Sequence, residues 1–155
     1  MLDDIHVLVK VKLREGLGPE YLPARATEFS AGSDLRAAFS EREISIAPGE
    51  RAAVPTGIFL EITRPGVAGF IFSRSGLGAR DGLTVSQGVG VIDNDYRGEV
   101  VVWLLNTSQE VRTVKQGERI AQIVFLPAFA ADFVIARSLA ASGREEGGFG
   151  HSGKM

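Results

Sequence analysis

The chain contains no cysteine. That excludes a disulfide framework, thiolate metal ligands and thiol nucleophiles, and it fits a reducing compartment. Blocks of lysine or arginine are also missing. With 17 basic and 19 acidic residues the net charge is −2. No nucleic-acid groove is expected, and an anionic ligand must be held by local donors rather than by the field of the whole molecule. No apolar run approaches the ~18 residues of a membrane helix, so no membrane association is expected. The opening MLDDIHVLVK carries two acids where a secretory signal carries positive charge. A cytoplasmic location is the expectation. The string GxxxxGKS or GxxxxGKT is absent, which excludes a P-loop. Two histidines, His6 and His151, have no partner at metal-ligand spacing.

What is present is mostly period two. In IHVLVKVKL, Ile5, Val7, Val9, Val11 and Leu13 fall on one face of a strand. Further short strands are predicted over 42–47, 52–62, 66–72, 100–106, 111–115, 119–125 and 132–136. Turn signals such as APGE, RPGV, NTSQE and KQGE separate several of them. Only SGLGARDG, 75–82, offers a turn or two of helix, and its glycines weaken it. Many short strands with at most one very short helix predict an all-β fold: a jelly-roll-like sandwich or distorted barrel. With 155 residues and no long linker, residues 1–141 are expected to form one domain, with 142–155 a flexible glycine-rich tail. Val100–Leu105 is apolar throughout rather than alternating. Such a strand is covered on both faces, and in a single-domain β protein the second cover is often another subunit.

Five stretches serve the strand pattern poorly: AGSDLRAA (31–38), SRSGLG (73–78), GVGVIDNDYRGE (88–99), GERIAQIVF (117–125) and GREEGGFGHSG (143–153). Each mixes glycine with Asp, Arg, Ser or Gln. Taken singly, each reads as an ordinary turn or bulge. Taken together, they suit phosphate ester chemistry. Glycine lets backbone N–H groups approach phosphate oxygens, and arginine adds a bidentate charged fork. Asp34 and Asp93 supply carboxylates of the kind that accompany Mg²⁺ on a polyphosphate.

These five stretches, in this order, resemble the five motifs of the trimeric dUTPases, which hydrolyse dUTP to dUMP and pyrophosphate. GVIDNDYRGE and GGFGHSG stand nearly as that family writes them. The resemblance implies a homotrimer with shared active sites, dUTP as substrate and Mg²⁺ as cofactor. It implies that 88–99, with Gly88 and Val91, forms a hairpin reading uracil, whose backbone groups leave cytosine's amino group unsatisfied. Spacing leaves Asp93 and Asp95 open as general base; the family pattern points to Asp93. Tyr96 would pack under the deoxyribose and exclude a 2′-hydroxyl. Ser75 would stabilise charge on the leaving pyrophosphate. Arg74, Gly76 and Gln122 would contact the phosphates, with Arg74 also able to pair with a nearby carboxylate and Arg119 structural. Asp34 would hold the Mg²⁺–triphosphate complex through water. In the tail, Phe149 would stack on uracil, and Arg144, Gly148, Ser152 and Gly153 would close over the phosphates.

Three positions depart from the family's commonest pattern. Ser73 stands for the proline of PRSG, Gln87 for an asparagine, and Glu145 for a glycine. Competing readings are a dCTP deaminase-type relative and a non-catalytic nucleotide-binding module of the same fold. The deaminase needs a glutamate at the base, and GVGVIDNDY contains none.

Overall fold

A computed structural model describes residues 6–142. Ten strands follow one another: β1 (Val9–Leu13), β2 (Ser33–Arg36), β3 (Glu43–Ile46), β4 (Arg51–Ile62), β5 (Val67–Phe72), β6 (Leu83–Val85), β7 (Gly90–Ile92), β8 (Glu99–Asn106), β9 (Arg112–Lys115) and β10 (Arg119–Pro127). They form two four-stranded sheets, ordered β1-β4-β8-β6 and β2-β10-β5-β7, and a β3-β9 ribbon. Every ladder is antiparallel. Side chains from both sheets and the ribbon meet in one apolar core. This is the expected all-β jelly-roll sandwich.

β4 shows why the two sheets curve around that core. Its first half pairs with β8 and its second half with β1, and the β8 register shifts between Pro55 and Phe59. Gly57 sits in that bulge with φ +67°, where a Cβ would overlap Leu17 Cδ1. Only glycine takes both the backbone conformation and the close approach. Pro55 is tolerated beside it because its carbonyl, and so its missing N–H, faces away from β8 and toward the Ala38 N–H, 2.7 Å away.

Val100–Leu105 of β8 is apolar throughout but not uniformly buried. Val100, Val102 and Leu104 face the core, while Val101 and Trp103 on the other face are 38% and 49% exposed. At its end Asn106 is buried and fully bonded. Its Nδ2 donates to the Ile46 and Glu110 carbonyls, and its Oδ1 accepts from the Ser108 N–H and hydroxyl.

Three outcomes differ from the sequence expectation. Residues 132–136 form no strand. Phe133 and Ile135 are 96% and 101% exposed on a segment that leaves the body after β10, because alternation alone supplies no ladder partner. The first strand begins at Val9, leaving His6 and Val7 outside it. β2, β6 and β7 are strands that the apolar pattern does not mark, since they are short and contain polar residues or glycine. The glycine-weakened 75–82 stretch closes a single wide π-helical turn, Gly76–Arg80, with the Asp81 N–H on the Gly76 carbonyl at 3.2 Å. A 3₁₀ turn, Pro19–Tyr21, opens on proline. Among the described residues, no helix is long and apolar enough to cross a membrane.

Candidate active site

Register brings three of the five segments together. On central β10, Gln122 pairs with Asp34 of β2 on one side and with Phe72 of β5 on the other. Directly opposed residues share a face of the sheet. Asp34 and Gln122 therefore stand side by side, next to the point where β5 runs out into Ser73–Gly76. The result is a polar cleft of ≈ 220 Å³ lined by Ala26, Ser30, Gly32, Asp34, Arg74, Ser75, Gly76 and Gln122.

Asp34 is the electrostatic centre of this cleft. Arg74 Nε donates to its Oδ1 at 2.8 Å, and Arg119 Nη1 donates to its Oδ2 at 3.1 Å. The carboxylate side chain is only 14% exposed, so the paired guanidiniums offset its desolvation. Arg74 thus makes the carboxylate pairing expected of it, and its Nη1 also reaches the Arg119 carbonyl at 3.5 Å. Gln122 is not an outward-facing strand residue. Its Nε2 donates to the Ser73 carbonyl at 3.1 Å, and its Oε1 lies 2.5 Å from where a Gly32 side chain would begin. Ser73 replaces the rigidity of a proline with a bond: its hydroxyl accepts the Val85 N–H at 2.8 Å, tying the Arg74–Gly76 loop to edge strand β6.

The 88–99 segment is not a hairpin. β7 pairs with β5, whereas β8 pairs with β4 and β6. The segment is a corner that crosses from one sheet to the other, because the core claims opposite partners for its two ends. Gly88 takes φ +81° at its start, and Gln87 Nε2 lies against Gly90. Val91 and Tyr96 are exposed on it, as is Asp93. β7 is an edge strand, so one row of its backbone groups faces no other strand among the described residues. The turn after it is tightly held. The Tyr96 N–H donates to the Asp93 carbonyl at 3.1 Å, and Arg97 Nη1 donates to the Asn94 and Tyr96 carbonyls. Asn94 Nδ2 reaches the carbonyls of Ile62, Arg64 and Val67, with Arg64 nearest at 2.8 Å. Nothing in the sequence marks Asn94 for this role beyond its place in a turn.

The two halves do not meet within one chain. Ile92 pairs with Gly69, and Asp93 follows it toward the start of β5, whereas Ser73 follows the end of β5, so about five residues of strand separate the two. At ~3.3–3.4 Å per residue that is roughly 17 Å of strand. No residue of 88–99 lines the Asp34 cleft. Arg144, Gly148, Phe149, Ser152 and Gly153, with Glu145 and His151, lie outside the described residues.

The Arg80 side chain holds the Asp81 carboxyl below its usual value, and Asp81 in turn raises Arg80, at the end of the π-helical turn. On the far sheet, a hydrogen bond from Lys10 lowers Glu61.

The dUTPase family model matches residues 20–153. The deoxyuridine 5′-triphosphate nucleotidohydrolase of Desulfitobacterium hafniense (strain DSM 10664 / DCB-2) is 46% identical over 148 residues, covering 94% of this chain and 97% of its own. That of Actinobacillus pleuropneumoniae serotype 3 is 47% identical over 149 residues, covering 95% and 98%. Among solved structures, a mutant dUTPase of Staphylococcus bacteriophage 80alpha with dUpNHpp superposes with a TM-score of 0.78 at 26% identity, covering 95% and 99%. Five motifs in order, three of them converging by register, and relatives matched over nearly their whole length lead to one conclusion: the chain belongs to the dUTPase family.

Proposed function

We propose that the protein is a dUTP diphosphatase, hydrolysing dUTP to dUMP and pyrophosphate in the cytoplasm. The observation that carries this reading is the cleft in which Asp34, Arg74, Ser75, Gly76 and Gln122 converge in a chain of this family. The cleft offers guanidinium, hydroxyl, amide and glycine N–H donors, the set that a triphosphate requires. Arg74 and Gln122 are already braced, against Asp34 and Ser73 respectively, so little reorganisation accompanies binding.

In the reaction, Asp93 takes a proton from water while the water oxygen bonds to the α-phosphorus. The bond from that phosphorus to the bridging oxygen breaks, and pyrophosphate leaves with the electron pair. Ser75 donates to the phosphate chain at the bond that breaks. Asp93 suits the base role by its position on a turn that Asn94 anchors to the β4–β5 connection. Val91 and the open edge of β7 supply the uracil-reading groups, and Tyr96 the wall against a 2′-hydroxyl.

Among the described residues no cluster of His, Asp or Glu could hold a metal by itself. Asp34 stands alone, each oxygen accepting one guanidinium bond and keeping further lone-pair capacity. That capacity suits water-mediated contact with Mg²⁺ carried by the triphosphate. When bound, the metal neutralises phosphate charge.

The roughly 17 Å between Asp93 and the phosphate loop along β5 supports a site completed by other chains. The exposed β8 face and the apolar segment after β10 support a homotrimer, in which the tail, with Arg144, Gly148, Phe149, Ser152 and Gly153, closes over the ligand.

The test is pyrophosphate release with Mg²⁺ and each nucleotide in turn. Turnover of dUTP alone is expected. Ammonia from dCTP, or no turnover, overturns the reading.

A further inference from the structure

We propose that Gly98 is a positioning residue for sugar discrimination, because the space left by its missing side chain is the seat of the Tyr96 ring. The inference rests on the reading that dUTP is the substrate and that Tyr96 faces its deoxyribose.

A Cβ built on Gly98 would overlap the Tyr96 hydroxyl and lie 2.6 Å from Cζ and 3.0 Å from Cε2. Gly98 is not among the positive-φ glycines, and the three atoms nearest to an added Cβ all belong to the Tyr96 phenol. The ring is pinned from its other atoms as well. Its hydroxyl donates to the Glu99 carbonyl at 2.9 Å, its own N–H donates to the Asp93 carbonyl, and Arg97 holds its carbonyl. Tyr96 is thus folded back on residues 98–99, with 43% of its surface facing outward.

A wall that discriminates one hydroxyl must not yield. Any side chain at 98 drives the phenol off the Glu99 carbonyl and away from its seat. The ring then loses its fixed place against the sugar. dUTP loses its close fit, while UTP, no longer shut out by a fixed ring, gains entry, so the ratio falls from both sides.

The experiment compares kcat/KM for dUTP and UTP in the full-length wild type, Gly98→Ala, Tyr96→Ala and the double variant. Gly98→Ala and Tyr96→Ala should each lower the dUTP/UTP ratio, by about tenfold, and the double variant should fall no further than Tyr96→Ala. A preserved ratio in Gly98→Ala beside a reduced one in Tyr96→Ala overturns the inference and leaves the dUTPase reading standing. So does an additive double variant, which would mean Gly98 acts apart from the ring. If Tyr96→Ala keeps the ratio, the sugar-facing role of Tyr96 fails, and this inference with it. If Gly98→Ala does not fold, the double variant decides: recovery on removing the ring supports the contact, and failure of both assigns Gly98 a backbone role and overturns the seat.

Discussion

At the scale of single residues, Asp93 and Asp34 stand in opposite environments. Asp93 stands exposed on a turn, whereas Asp34 is enclosed and paired with two arginines. Asp93→Asn should still bind dUTP in isothermal titration while kcat falls by about 10²–10⁴, the usual worth of a general base; near-normal turnover would reassign the base. Asp34→Ala should raise KM and the Mg²⁺ requirement more than it lowers kcat, because it frees Arg74 and Arg119 to drift from the cleft. Unchanged steady-state constants would remove Asp34 from the site. The convergence was legible in part: Gln122 is a polar interruption of an apolar strand, and motif order singles out Asp34 and Ser75. The bracing was not. Ser73 bonding Val85 and Asn94 bonding three carbonyls join segments 12 and 27–32 residues apart, and no local pattern encodes such a partner.

At the scale of elements, the strands that formed as expected are those whose apolar residues found a ladder. β8 did so between β4 and β6, and the 132–136 stretch, with similar composition, did not. Asn106 shows what the ends of such ladders need. One buried amide ties β8 to β3 and to the Ser108–Glu110 turn. Asn106→Ala should destabilise the fold by on the order of 2–3 kcal/mol, since it leaves buried carbonyls without donors. A urea midpoint within error of wild type would show that water replaces the side chain. The 88–99 segment makes the same point in reverse. Its sequence suggests a hairpin, yet its two ends are drawn into different sheets.

At the scale of the whole molecule, the proposed site needs more than one chain. The Asp34 cleft lies beyond one end of β5, and Ile92, next to Asp93, pairs toward the other. Co-refolding Asp93→Asn chains with Ser75→Ala chains should therefore restore activity at about one site in four, if each site draws these two residues from neighbouring subunits. No recovery would place both residues in one chain's site. Val101 and Trp103 form the exposed apolar face expected to be covered in the assembly. Trp103→Glu should shift sedimentation from trimer to monomer and abolish turnover, and an active monomer would contradict the shared site. Deleting residues 144–155 should leave the circular dichroism spectrum intact and remove most of the activity.

The sequence by itself determined what depends on local period and on motif order: strands rather than helices, no thiol or P-loop chemistry, and the five segments of one family. Tertiary structure alone decided which strands pair, that 88–99 turns a corner, and that no residue of 88–99 lines the Asp34 cleft. The physical reason is range. Alternation along a strand is set by the residues themselves, whereas a ladder partner is chosen by the core, which is shared among segments distant in the chain.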